Sequence, residues 1–372
     1  MHERWARSTA TGTSDLAACR AMLANGSRTF FAASFLLPRR VREPASALYA
    51  FCRLADDAVD VGGGSAGVLD ELRERLDRIY AGSPCACPAD RAFAIVVERY
   101  GIPRAMPEAL LEGFAWDQAR RQYETLSDVT AYGVRVAGSV GAMMAMVMGA
   151  RGQQALAHAS DLGVAMQLTN IARDVGEDAR AGRSYLPAQW MRERGIDPDR
   201  WLAAPTFDAA VGSVVARILL EAERLYVRAE QGIALLPADC RPGIRAARLL
   251  YREIGNEVAR RDYDSVSARA VVGMNRKLTL LALSYVPRSS PRGGATWELL
   301  EEARFLLEAA GRSPSTVAVA IDAETAALPW WDLRTRAIRT IELFERLERR
   351  QRAAGGASAH LQKEPALVLG RS

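Results

Sequence analysis

The sequence has few histidines, few lysines and no long hydrophobic run. Its three histidines are His2, His158 and His360, and two of them lie near the ends of the 372-residue chain. Histidine metal sites, histidine-based triads and imidazole general bases are therefore not expected. No uncharged apolar segment reaches the ~20 residues that span a bilayer. If the chain is an enzyme, a group other than imidazole must move protons.

The cysteines and the charges set further limits. The five cysteines are odd in number and lack the paired spacing of a zinc site or a disulfide framework, which favours a reducing, cytoplasmic location. The formal net charge is +5, and only Lys277 and Lys363 are lysines. No basic run with interleaved aromatic residues is present, so nucleic acid is not an expected partner. The N-terminus also lacks the apolar core of a signal peptide.

Helical periodicity runs through the chain, and no alternating β-branched run predicts a strand, so we expect an all-α fold. A Ser/Pro/Arg/Gly stretch begins at Ser289. It predicts one all-α domain at 1–288 and a C-terminal extension at 289–372, with helices near 298–310 and 333–353 and a disordered tail. The extension could be a solvated helix, a partner-binding segment or a membrane-surface helix.

Two predicted helices each carry a polar stripe on an otherwise apolar surface. The stripes are Tyr49, Arg53, Asp56 and Asp60 in the first helix, and Gln167, Asn170, Asp174 and Asp178 in the second. Each stripe ends in Asp-x-x-x-Asp, which places two carboxylates one turn apart on one helix face. Few other charges accompany them, so we expect these carboxylates to point into the protein.

Buried carboxylates one turn apart repel each other unless a cation lies between them. Mg²⁺ prefers a few carboxylates, water and phosphate oxygens, and it needs no histidine. Arg53 and Arg173 adjoin the two motifs and offer planar guanidinium groups to phosphate. A single Asp-x-x-x-Asp is more often a solvated helix face, but two copies in matching stripes predict a site for Mg²⁺ and diphosphate.

Four blocks of the sequence resemble the head-to-head trans-prenyl synthases, the family of squalene and phytoene synthases, and most closely its bacterial phytoene-forming members. The blocks are SRTFFAASFLLPRRVR (27–42), YAFCRLADDAVD (49–60), YGVRVAGSVG (132–141) and QLTNIARDVGEDARAGRSYLP (167–187). The resemblance covers roughly residues 27–277. It implies a single-domain isoprenoid synthase bundle around a central cavity, with the two Asp helices opposed across its mouth.

The resemblance also implies an activity. Two geranylgeranyl diphosphates would condense head to head, through prephytoene diphosphate, to phytoene, the first committed step of carotenoid biosynthesis. The expected cofactor is Mg²⁺, with Mn²⁺ as a substitute, and no NADPH is expected. The alternatives are a farnesyl diphosphate-using dehydrosqualene, squalene or presqualene diphosphate synthase and, from another class, a non-catalytic helical protein that binds diphosphates or partners. The inner membrane surface and downstream carotenoid enzymes are further candidate partners.

The stripes and the resemblance together give the expected site residues. The metal ligands are Asp56, Asp60, Asn170, Asp174 and Asp178, and the four aspartates act in catalysis with Arg53, Arg173 and Tyr251. The substrate-binding residues are Ser27, Phe30, Tyr49, Tyr132, Ala137, Val140, Gln167, Asn170, Tyr185 and Arg269.

Three of these assignments have alternatives. Ser27 could cap a helix instead of lying at the diphosphate entrance, and Tyr251 could be a core tyrosine with one hydrogen bond. Many family members carry an arginine pair where this chain has Ala268 and Arg269. Arg269 therefore either binds phosphate alone or leaves that contact to another part of the chain.

Three local predictions complete the sequence analysis. Residues 132–149 carry no charge after Arg135 and are rich in small residues and methionine, which predicts a buried helix forming a wall for a prenyl chain. The side chain that closes the pocket floor is not identified. Pro44 is expected to open the first Asp helix, and Asp117 is expected to be a surface residue paired with Arg121.

Overall fold

The computed structural model describes residues 9–26, 33–34, 36–61, 66–286 and 299–312. These ranges contain helices and no strand, which confirms the all-α prediction. A π-helical turn, Val134–Gly138, joins α6 to α7, and a 3₁₀ turn, Glu301–Ala303, precedes α14. The helices are α1 Thr9–Gly26, α2 Arg39–Val61, α3 Ala66–Tyr80, α4 Pro88–Tyr100, α5 Ala105–Gln118, α6 Leu126–Gly133, α7 Ser139–Val147, α8 Gln153–Arg180, α9 Ala188–Glu193, α10 Pro198–Ala203, α11 Ala209–Ile233, α12 Arg241–Ala259, α13 Met274–Leu283 and α14 Arg304–Arg312.

The 28-residue helix α8 is the central element of the bundle and packs against α7, α11 and α12. Its contacts with α7 and with the preceding π-helical turn depend on glycine. A Cβ on Gly141 would lie 2.2 Å from the carbonyl oxygen of Ala159, and a Cβ on Gly163 would lie 2.3 Å from that of Ala137. The small residues of the 132–149 segment therefore serve close helix packing, in addition to the wall function predicted from sequence.

The prediction that Pro44 opens its helix is wrong, because α2 begins five residues earlier, at Arg39. Proline inside a helix has no N–H for the carbonyl four residues before it. That carbonyl belongs to Arg40, and it accepts a hydrogen bond of 3.4 Å from the hydroxyl of Tyr100 on α4. The Arg40 carbonyl thus receives its hydrogen bond from a residue distant in sequence, which the residues around Pro44 do not reveal.

Residues 299–312 pack against the helical bundle. Leu306 and Leu307 on α14 are buried. The centre of the Phe305 ring lies 5.5 Å from the guanidinium carbon of Arg135. The hydroxyl of Ser127 donates a 2.6 Å hydrogen bond to Glu302. The domain boundary at 288 stays a prediction, and the helix predicted at 333–353 lies outside the described residues. Within the described ranges, no helix combines the length and apolar character needed to traverse a bilayer.

Replacing Leu306 with alanine tests the contribution of α14. Leu306 is fully buried, so Leu306→Ala should lower the free energy of unfolding by about 2–4 kcal/mol, measured by urea denaturation. The matched control is Leu283→Ala on α13, because Leu283 is 47% exposed and its truncation should cost less than about 0.5 kcal/mol. If Leu306→Ala lowers the free energy of unfolding by no more than this small control value, the packing of α14 does not stabilise the bundle.

Candidate active site

An apolar cavity lies between α2, α7, α8, α11 and α12. The space within it that the centre of a water-sized sphere can reach is about 320 Å³. Of the predicted site residues, six line it, namely Tyr49, Ala137, Val140, Gln167, Asn170 and Tyr251. The α8 wall is formed by Ala155, His158, Ala159, Leu162, Gly163, Met166, Gln167 and Asn170. Met144 and Met148 contribute to the α7 wall, so this segment does line the cavity.

The polar stripes of α2 and α8 both begin in this cavity. From Tyr49, the α2 stripe continues to Asp56, and from Asn170 the α8 stripe continues through Asp174 to Asp178. A helix advances about 1.5 Å per residue, so Asp178 lies about 12 Å beyond Asn170 along α8. The carboxylates therefore lie past the polar end of the cavity wall, where a charged head group with an apolar tail inside would meet them.

Asp174 is held between two guanidinium groups. Arg173 donates hydrogen bonds of 2.7 and 2.6 Å to its two carboxylate oxygens. Arg269 approaches the same oxygens at 2.8 and 3.2 Å and also lies 3.3 Å from Glu177. The structure thus brings Arg269 to the second Asp motif without a neighbouring arginine at position 268.

Gly176 explains how Arg269 reaches Asp174. The segment after α12 lies directly on α8, where the amide of Gly176 donates a 3.0 Å hydrogen bond to the carbonyl of Ser265 and Arg180 donates one of 3.1 Å to that of Val266. A Cβ on residue 176 would lie 2.2 Å from the Val266 carbonyl oxygen. Only glycine permits this approach, so the glycine in the Asp motif positions an arginine from another part of the chain.

The carboxylate of Asp178 is buried near other negative charges, and too little positive charge lies nearby to balance it. The pKa of its carboxyl group is raised to about 7, first by burial and then by the charge of Asp174, whereas Arg183 opposes the rise. Asp117 and Glu177 add to the increase. A cation at this position would reverse the effect, because it favours the ionised carboxylate.

The carboxylate of Asp56 is more exposed than the sequence predicted. Its side chain is 41% exposed, against 17% for Asp174. Arg53 donates a 3.1 Å hydrogen bond to Asp56 and approaches Asp57 at 2.5 Å. This carboxylate is thus partly exposed and paired with Arg53, and the prediction that it points into the protein is not tested by these contacts. Asp57, which the sequence analysis did not select, is recognisable from its i,i+4 spacing to Arg53.

The expectation that Asp117 is a surface residue paired with Arg121 is also wrong. Its two carboxylate oxygens accept hydrogen bonds from the hydroxyls of Tyr185, at 2.7 Å, and Tyr132, at 2.8 Å. Arg121 instead places its guanidinium 3.9 Å from the centre of the Trp116 ring. Tyr132 and Tyr185 therefore hold an aspartate whose charge acts on Asp178, and they are not among the side chains that line the cavity.

Three of the predicted site positions cannot be placed. Ser27, Phe30 and the side chain of Asp60 lie outside the described residues, so their roles stay predictions. Among the side chains that the structure does describe, no three of His, Cys, Asp and Glu gather closely enough to hold a metal ion. In this arrangement the Asp174 oxygens are turned towards Arg173 and Arg269.

The donor set on α8 nevertheless fits a hard divalent cation. Asn170, Asp174 and Asp178 follow at i, i+4 and i+8, on one helix face. The side-chain oxygen of Asn170 is buried and has no hydrogen-bond partner among the described residues. An unsatisfied amide oxygen one turn from Asp174, with the raised-pKa carboxyl of Asp178 one turn further on, presents the oxygen ligands that Mg²⁺ prefers.

The sequence analysis missed His158. It is 3% exposed and lines the cavity on the α8 stripe, twelve residues from Asn170. The expectation that no histidine binds metal or acts as a general base is not tested by this position, which lies far from Asp174 and Asp178. The sequence feature that could have identified His158 as a cavity residue is its position on the same helix face as Leu162 and Met166.

Comparison with solved structures gives the class of protein. The fold is similar to the crystal structure of a dehydrosqualene synthase, with a TM-score of 0.69 and 32% identity over 74% of this chain and 96% of that chain. It is also similar to squalene synthase HpnC from Alicyclobacillus acidocaldarius, with a TM-score of 0.62 and 25% identity over 68% and 96%. The protein thus has the all-α fold of isoprenoid synthases.

Sequence comparison gives the family. The family model for squalene/phytoene synthase matches residues 23–276, and the chain belongs to that family. The phytoene synthase of Rhodobacter capsulatus is 56% identical over 273 residues, covering 73% of this chain and 80% of the relative. The phytoene synthase of Cereibacter sphaeroides is 51% identical over 317 residues, covering 81% and 89%.

Replacing Gly176 with alanine tests how Arg269 is positioned. The added methyl group cannot fit against the Val266 carbonyl, so the 264–272 segment should move away and separate Arg269 from Asp174. We expect kcat/KM to fall by roughly 10- to 100-fold, with unchanged helical circular dichroism. Gly152→Ala is the control, since no atom lies within 4 Å of a Cβ there.

The double variant Gly176→Ala/Arg269→Ala tests whether the two residues act together. It should lose no more activity than Arg269→Ala alone. If the activity losses of the two single variants multiply in the double variant, Gly176 does not act through Arg269 and the account is contradicted.

Replacing Asp178 with asparagine tests the raised pKa. Because the folded-state pKa is about 7 and the unfolded value is about 3.9, the metal-free folded state holds an extra proton between these pH values. The stability contributed by that proton is lost as pH rises from about 4 to 7. Asparagine cannot ionise, so the melting temperature of Asp178→Asn relative to wild type should be higher at pH 8 than at pH 5, measured in EDTA. A pH-independent difference would contradict the assignment.

Proposed function

We propose that this enzyme, a prenyltransferase, condenses two geranylgeranyl diphosphates to phytoene. The observation that carries the proposal is the single stripe of α8, which runs from the apolar cavity wall to Asp174 and Asp178. Such a stripe suits a substrate with a long apolar tail and a diphosphate head. The sequence identity of 56% and 51% to two phytoene synthases supports the same product. The family acts on prenyl diphosphates, and the geranylgeranyl chain is our proposal for this member.

We further propose Mg²⁺, replaceable by Mn²⁺, as the cofactor. Asn170, Asp174 and Asp178 would hold it from α8, and Asp56 and Asp60 from α2. When bound, Mg²⁺ supplies positive charge to the departing diphosphate. We propose that the reaction does not use NADPH.

The arginines would stabilise charge on the diphosphate. Arg173 and Arg269 both neutralise Asp174 in this structure, and Arg53 neutralises Asp56. A carboxylate bound to metal shares its charge with the cation, and the planar guanidinium groups then have donors to offer to phosphate oxygens. This exchange of partners would bring three positive groups to the leaving group without requiring any of them to leave the rim.

The proposed reaction has two ionisations. Loss of diphosphate from one substrate gives an allylic cation, which bonds to the alkene end of the second substrate and loses a proton to form prephytoene diphosphate. The second diphosphate then leaves, the cyclopropane opens, and a further proton is lost. An apolar cavity suits these cations because its walls keep out water that would quench them.

Tyr251 is an unsuitable proton acceptor in this scheme. Burial raises the pKa of its hydroxyl to about 12, despite the opposing charge of Arg173. The hydroxyl is therefore protonated at neutral pH and can donate a hydrogen bond at the cavity mouth. We propose that the released diphosphate, held beside the arginines, accepts the protons. Tyr132 and Tyr185 would contribute by fixing Asp117 beside Asp178.

The product is a hydrocarbon without any polar group. We propose that it passes to the inner membrane surface or to the enzyme that consumes it, from a cytoplasmic protein associated peripherally with the membrane.

Product analysis tests the proposal. The protein is incubated with geranylgeranyl or farnesyl diphosphate and Mg²⁺, with and without NADPH, and the extracted lipids are identified by mass spectrometry. We expect a forty-carbon product, phytoene, from geranylgeranyl diphosphate without NADPH. A thirty-carbon product formed in preference would establish one of the farnesyl-using alternatives. Binding without Mg²⁺-dependent diphosphate release would establish a non-catalytic protein.

A further inference from the structure

We propose that His158 forms the floor of the prenyl cavity and sets the longest chain that the enzyme accepts. This inference rests on the proposed function, because it names the residue that limits the substrate of the same site. It depends on the depth of His158 along α8 and on the contacts that keep its side chain in place.

Helix α8 measures the depth of the cavity. Asn170 lies at the polar end of the cavity-lining stripe, and His158 lies twelve residues earlier on the same stripe. At about 1.5 Å per residue, the two positions are about 18 Å apart along the helix axis. Ala155, one turn deeper on α8, also lines the cavity but carries only a methyl group. His158 is thus the deepest large side chain of α8 that lines the cavity within the described residues.

The length of a geranylgeranyl chain matches this depth. Its main chain has fifteen carbon–carbon bonds, and bonds of about 1.5 Å project to about 19 Å when the chain is extended. By the same measure a farnesyl chain spans about 14 Å and a geranylfarnesyl chain about 24 Å. A chain entering beside Asn170 would end at His158 with four isoprene units, and a fifth unit would collide with its ring.

Helix α11 packs directly against the helix face that carries His158. A Cβ on Gly232 of α11 would lie only 2.3 Å from the Cβ of His158, so α8 and α11 touch at this residue. One turn further on, Asp161 is 1% exposed and accepts hydrogen bonds of 3.2 and 3.1 Å from Arg228 of α11. The ion pair and the close backbone contact together fix the position of the floor.

Substitutions at His158 would change shape without breaking a polar network. Neither ring nitrogen has a hydrogen-bond partner among the described residues, and Nδ1 lies 3.5 Å from Asp161. Asp161 retains Arg228 when the ring is removed. The effect of a His158 substitution on chain length can therefore be separated from an effect on the hydrogen bonds of the core.

Chain-length selectivity of two variants tests the inference. The ratio of kcat/KM for geranylgeranyl over farnesyl diphosphate is measured for His158→Phe, and the ratio for geranylfarnesyl over geranylgeranyl diphosphate for His158→Ala. The larger ring should lower the first ratio, and the shorter side chain should raise the second, each by roughly 10- to 100-fold. Leu156→Ala is the matched control, because Leu156 is a buried α8 residue that does not line the cavity. It should leave both ratios unchanged.

The outcomes separate this inference from the proposed function. If wild-type protein forms product but neither His158 variant shifts its ratio beyond the Leu156→Ala control, the inference is wrong and the function stands. If wild-type protein turns over no prenyl diphosphate, the proposed function itself fails. Melting curves identify a variant that does not fold. Should His158→Phe be one, the acceptance of the twenty-five-carbon chain by His158→Ala still decides the question.

Discussion

The pairing of Asp174 with Arg173 and Arg269 is the interaction on which the mouth of the cavity depends. It joins α8 to the segment after α12, and the glycine at position 176 makes that approach sterically feasible. The pairing also balances charge, since an isolated carboxylate at 17% exposure would be costly. Asp178 is buried beside the charge of Asp174, with Arg183 as the opposing group, and its pKa is raised as a consequence.

One helix connects the charged mouth to the apolar interior. Helix α8 carries the carboxylates of Asp174 and Asp178 at its C-terminal end, amides at the rim and, apart from His158, small or apolar residues below. The same glycines that let α7 approach α8 also hold the two cavity walls at a fixed separation. In the proposed function, different turns of the same helix bind the head group and limit the chain length, so substitutions can separate the two roles.

The sequence predicted the fold and the two polar stripes, because both follow from the helical period of local residues. The cavity contacts of Tyr49, Gln167 and Asn170 follow from the same stripes. The Asp117 contacts could not be predicted in this way, since its tyrosine partners are 15 and 68 residues away. The partner of the Arg40 carbonyl and the floor at His158 depend likewise on packing between helices distant in sequence.

The central claim is that the α8 stripe binds a metal–diphosphate head at one end and a prenyl chain along the rest. It is tested most directly by calorimetric titration with the non-ionising geranylgeranyl thiolodiphosphate at increasing Mg²⁺. The account predicts that Mg²⁺ tightens binding to wild type, and that Asp174→Asn retains only weak binding that Mg²⁺ does not tighten. The same Mg²⁺ dependence in both proteins would contradict it.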